Sequence, residues 1–161
     1  MTQPTQEELL EEAQRFIRIA DRDITAFKVL KNVPETHIAT VCFHAQQAVE
    51  KSLKAVLILH GVELRRTHNL RQLVSMLSDI NITPPVNSDE LQKLNPYAVT
   101  FRYDDREIEL LNRDEAENMV NTIRRWAGEQ LNSNDTTERE QVRDAVASQD
   151  SNAGALERDK S

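Results

Sequence analysis

The sequence is short of the residues that mark most other fold classes. Its 161 residues include one cysteine, three glycines and only 4% aromatics. A single cysteine excludes an internal disulfide and fits a reducing cytosol. Sparse glycine and aromatics argue against a sheet protein. No apolar run approaches the ~20 residues that a membrane span needs. A Gly-rich phosphate loop is missing, which excludes an ordinary P-loop or dinucleotide fold, and neither HExxH nor CxxC spacing occurs. The excess of acid, a formal charge of −7, argues against a broad basic surface for nucleic acid and leaves room for a small local one. The first residues, MTQPTQEELLEEAQ, are acidic and polar, unlike a signal peptide.

What remains is a chain of helix formers. Thr36–His60 is expected to form one long helix, with no Gly or Pro inside it. Pro34 and Glu35 suit its first turn, and Gly61 suits a left-handed cap at its end. Its apolar residues cover a wide arc, as in a helix buried against several neighbours. His44, Gln46, Gln47, Glu50, Lys51 and Lys54 are expected on or near its polar side, and Cys42 among the buried residues. A first helix should begin near Thr5–Glu8, which have capping-box spacing, and run to about Lys31, with Leu9, Ala13, Ile17, Ala20, Ile24 and Phe27 inward. Asn32-Val33-Pro34 is then a turn between two antiparallel helices. Thr67 or Asn69 caps a third helix with Leu70, Leu73, Val74 and Leu77 on one stripe. Asn87, Ser88 or Asp89 starts a short fourth, ending at Asn95-Pro96. The segment from Tyr97 onward reads as a loop with a helical turn or two. Asn112 and Glu115 form a second capping box, opening a last helix to about Leu131. From Asn132 on, few large apolar residues remain to offset ordering entropy. The expectation is therefore an all-α, antiparallel up-and-down bundle of four to five helices over residues 1–131. A disordered tail over 132–161 follows, with at most a transient helix around Glu138–Ala147.

Few residues suggest chemistry. His37 and His44 stand seven apart, about 10 Å along a helix. That is too far for one metal ion, so they read as surface or capping histidines and no metal or cofactor is expected. Arg65, Arg66 and His68 form a basic knot before the third helix. Polar loops carry such residues routinely, yet a helix start flanked by two arginines also suits a phosphate. Tyr97, Arg102 and Tyr103 form a second cluster, either a structural stack or ion pair with Asp104 or Asp105, or a phosphate and base contact.

Three stretches, FHAQQAVEKSLKAVL, THNL and YAVTFRY, together with IADRDITAFKVL in the first helix, resemble the HEPN domain family in the same order. The resemblance covers most of Phe16–Leu131. It implies a helical bundle, often a homodimer, of one of two functional kinds. Many members are metal-independent ribonucleases using an Arg and a His with four to six residues between them. Others lack that pair and are taken as nucleotide- or substrate-binding modules, commonly partnered with a minimal nucleotidyltransferase. Here positions 107–109 after Arg102 are Glu107, Ile108 and Glu109, and no histidine follows His68. The general acid–base imidazole is thus missing from its usual place. The resemblance then implies a non-catalytic module that binds a nucleotide or phosphate-bearing ligand, a nucleotidyltransferase partner, or both. Arg65, Arg66, His68, Arg102 and Tyr103 are its expected contacts, with Tyr103 stacking on a base. The alternatives are a ribonuclease toxin whose His68 pairs with Arg102 in space, and a purely structural dimerisation module.

Overall fold

The computed structural model describes residues 2–99 and 111–156, with side chains of the last helix as far as Ser151. Among these residues all regular structure is helical: α1 Gln6–Leu30, α2 Ile38–Leu59, α3 Leu70–Asp79, α4 Ser88–Leu91, α5 Asn95–Ala98 and α6 Arg113–Leu156, with a 3-10 turn Gln92–Leu94 between α4 and α5. The all-α antiparallel bundle expected from the sequence is the fold observed.

Local chemistry sets most boundaries. Thr5 and Glu8 close a reciprocal capping box at the start of α1. Asn69 caps α3 and Asn87 caps α4. Asn112 and Glu115 form the second box, at 2.8 and 3.3 Å. Gly61, at φ 71°, ends α2. Its amide and that of Val62 donate to Ile58 O and Leu57 O in a Schellman arrangement. Asn81, at φ 61°, ends α3 in the same way. The start of α2 differs from expectation. Pro34 and Glu35 belong to the preceding turn, and His37 is the cap, its Nδ1 accepting from Ala39 N at 3.0 Å. A side chain able to accept the free amide outweighs the preference for Pro in a first turn.

Helix α2 is central. It packs along α1 and α6 and also meets α3 and α5. Val41, Ala45, Ala48, Leu53, Ala55, Val56 and Leu57 are all wholly or almost wholly buried, as is Cys42. Small residues on this helix let its neighbours approach closely. Gln6 Nε2 donates to Leu59 O at 3.2 Å, which sets the start of α1 beside the end of α2. Arg124 reaches Asp21 at 2.7 and 3.2 Å, and Lys31 pairs with Glu117, so α6 runs antiparallel to α1. At the start of α6, the Arg113 guanidinium donates to the carbonyls of Leu30, Lys31, Val33 and Thr36 at 2.5–3.2 Å. Leu30 O and Val33 O also accept from Val33 N and Thr36 N within the turn, so the guanidinium ties the end of α1 and the α1–α2 turn to α6.

Helix α6 does not stop at Leu131. Its backbone is helical to Leu156, a stretch that includes residues 138–147, where the sequence allows a transient helix. No residue from Asn132 to Ser151 is buried. A hydrogen bond from Thr136 Oγ1 to Asn132 O and an ion pair of Arg139 with Asp135, both local to the helix, connect the extension to itself. A helix propagates from an existing end without a new nucleus, which a reading of hydrophobic content alone does not register. No helix among the described residues is long and apolar enough to cross a membrane.

Candidate functional site

The stripe AQQAVEKSLK on α2 repeats polar residues at helical spacing. Gln46, Glu50 and Lys54 are four apart and share a face, with Gln47 and Lys51 beside them. Gln46 and Glu50 are nonetheless fully buried, at 0% exposure. The sequence placed them on a polar side. The physical reason for the difference is the loop after Gly61, which folds back over this face of α2. Gln46 Nε2 donates both to Glu50 Oε2 at 3.0 Å and to His68 O at 3.1 Å, fixing the loop backbone.

Glu50 is the centre of the cluster. Its Oε1 accepts from Lys54 Nζ at 2.7 Å, with Lys51 Nζ at 3.6 Å. Its Oε2 lies 3.0 Å from His68 Nδ1 and 3.5 Å from Gln47 Nε2. Burial drives the Glu50 carboxyl upward, but the Lys54 hydrogen bond, the Lys51 charge and the Gln46 hydrogen bond outweigh it and hold the group below the usual carboxylate range. Glu50 is therefore a buried anion with every lone pair addressed, the condition under which a buried charge is tolerated. An ionised carboxylate only accepts, so the Nδ1 of His68 that faces it carries the hydrogen. The His68 side chain as a whole is 62% exposed.

Arg65 and Arg66 precede His68 on the same loop. Both are exposed, and neither has an ion pair or hydrogen bond to another described residue. The start of α3 is differently placed. Leu70 N donates to Asn95 Oδ1 at 2.9 Å, and Arg71 N and Gln72 N to Asn69 Oδ1 at 3.0 and 3.4 Å. Those amides are committed to side chains. An anion beside His68 would thus be held by the arginines and not by the helix end. Of the second sequence cluster, Tyr97 is wholly buried in α5 and belongs to the core. Arg102 and Tyr103 lie outside the described residues.

Sequence reasoning brought His68 forward but missed Glu50 and Gln46. The signal was present: an acid and an amide one turn apart, next to the small-residue row Ala45, Ala48 and Ser52, with lysines at one and four residues further. His44 is engaged elsewhere, its Nδ1 3.0 Å from Asp23 Oδ1, joining α2 to α1. Among the described residues no group of three or more His, Cys, Asp or Glu side chains could hold a metal ion. A groove of about 680 Å³ opens between the α1–α2 turn and the start of α6, but Arg113 on its wall is committed to carbonyls.

Comparison with known proteins gives two results. A family model described as HEPN domain matches residues 13–127. A protein of Methanocaldococcus jannaschii named "Putative toxin MJ1304" is 44% identical over 54 residues, 34% of each chain. The match thus spans about a third of that protein's length. No solved structure matches.

Proposed function

The chain belongs to the HEPN domain family, and we propose that within it this protein is a binding module for a nucleotide or other phosphate-bearing ligand. Its partner in this reading is a minimal nucleotidyltransferase, in a toxin–antitoxin or defence pair. The observation that carries the reading is the loop Arg65–His68. Two arginines without partners among the described residues stand beside an imidazole that a buried carboxylate orients, on a chain of net charge −7. Guanidinium groups suit phosphate oxygens. The name of the M. jannaschii relative supports a toxin-type setting. The missing histidine after Arg102 supports binding over RNA cleavage. Arg102 and Tyr103 complete the contact set, with Tyr103 stacking on the base. Calorimetry with a nucleoside monophosphate tests this reading. Arg65→Ala with Arg66→Ala, and separately Arg102→Ala, should abolish binding while circular dichroism stays unchanged. Unchanged affinity in these variants would refute the assignment. A tagged chain should also retain a nucleotidyltransferase in a pull-down, and light scattering should give the mass of a homodimer.

One observation favours a second reading, a ribonuclease toxin with a rearranged site. The Glu50–His68 pair resembles the carboxylate–imidazole arrangement of a general acid–base group. Expression of the chain alone in a bacterial host decides between the two. Growth arrest with cleaved RNA, both relieved by His68→Ala, establishes the ribonuclease. Normal growth with intact RNA leaves the binding module.

A further inference from the structure

Phosphate contacts by Arg65 and Arg66 leave open what the imidazole next to them reads. We propose that His68, with its Nδ1–H turned into Glu50, offers the Nε2 lone pair to a ribose hydroxyl, so that the site selects ribonucleotides over dideoxy analogues. This deepens the nucleotide-binding reading above and rests on it.

The argument follows the atoms. The Glu50 carboxylate sits 3.0 and 3.2 Å from Nδ1 through its two oxygens, and it can only accept. Two ammonium groups, Lys54 at 2.7 Å and Lys51 at 3.6 Å, already balance its charge. What Glu50 takes from this ring is the one hydrogen at Nδ1. In the neutral ring with its hydrogen on Nδ1, Nε2 is an acceptor, and it has no hydrogen bond among the described residues. An acceptor pairs with a donor. Phosphate oxygens are acceptors themselves and suit the two arginines, whereas the donors a nucleotide can offer at its sugar are hydroxyls. Loop and helix thus divide the ligand, with charge read by Arg65 and Arg66 and the sugar by His68. Glu50 and Gln46 act here as positioning residues. Glu50 sets the tautomer, and Gln46, bonded to both Glu50 Oε2 and His68 O, sets where the ring stands.

Calorimetry at pH 7.5 with adenosine 5′-monophosphate and its 2′,3′-dideoxy analogue tests the proposal, alongside long-range 1H–15N NMR of the imidazoles. The wild type should prefer the ribonucleotide by roughly tenfold, the scale of a hydrogen bond or two. His68→Ala should bring the two ligands to parity by weakening only the ribonucleotide. Glu50→Gln should narrow the preference and change the His68 nitrogen shifts from the Nδ1–H pattern of the wild type. Equal affinities in the wild type, or an Nε2–H or doubly protonated His68 at that pH, would overturn the proposal while nucleotide binding stands. If neither nucleotide binds, the binding reading falls and this proposal with it.

Discussion

His68 sets its Nδ1 3.0 Å from Oε2 of Glu50, so that a side chain 62% exposed is anchored to one with no exposure at all. Surface histidines usually choose their own tautomer and rotamer. This one is fixed from inside the bundle, and three predictions concern the devices that hold the bundle and its loop in place.

The first is acid sensitivity. The folded-state pKa of Glu50 lies below the ordinary value because its hydrogen-bond and charge partners outweigh burial, whereas the unfolded chain titrates near ~4.3. The folded state thus binds the proton less readily. The stabilisation is fully present above about pH 4.5 and is lost as pH falls through the folded pKa. Glu50→Gln should cost stability at pH 7, and its difference from the wild type should shrink towards pH 3. Urea denaturation at both pH values measures this, and a constant difference across the range would contradict it.

A second prediction concerns Arg113. Its guanidinium serves four carbonyls at once, a fork that a single ammonium cannot reproduce. Arg113→Lys should lose nearly as much stability as Arg113→Ala, on the order of 1.5–3 kcal/mol by the scale of hydrogen bonds to charged groups. Chemical denaturation midpoints compare the two. A lysine variant with wild-type stability would mean that charge, and not the fork, is what matters.

Third, the helical extension should be dispensable for the bundle. No residue from Asn132 to Ser151 is buried as a whole, so deleting residues 132–161 should leave stability within about 0.5 kcal/mol, as for surface changes generally. The far-ultraviolet helix signal should drop by the missing residues alone. Cooperative loss of stability on truncation would place the extension against the core.

Much of the fold was legible because helix caps are local. Thr5 with Glu8, Asn69, Asn87, Asn112 with Glu115, and Gly61 each mark an end through neighbours a few residues away, and the structure uses all of them. The apolar periodicity of α1 and α3 gave their inner faces for the same reason. Glu50 and Gln46 were not legible. Their burial depends on a loop returning from residues 61–69 to cover α2, a contact separated by about twenty residues that no helical period encodes. Arg113 was opaque for a similar reason, since its partners are carbonyls, and backbone acceptors have no sequence signature. Past Leu131 the composition offers no core and no residue is buried as far as Ser151, while the helical backbone there continues a helix already begun.

The Arg113 clasp also has a meaning in time. It joins the first turn of α6 to Leu30, 83 residues earlier, while α1 and α2 meet across a turn of a few residues. Closing the larger loop costs more chain entropy, and contacts near in sequence form sooner. The α1–α2 hairpin is thus expected to form early in folding, and the clasp late. Bonds formed after the rate-limiting step leave the speed of arrival almost untouched and govern the speed of escape. On that order, what those few carbonyls would set is the lifetime of the assembled bundle.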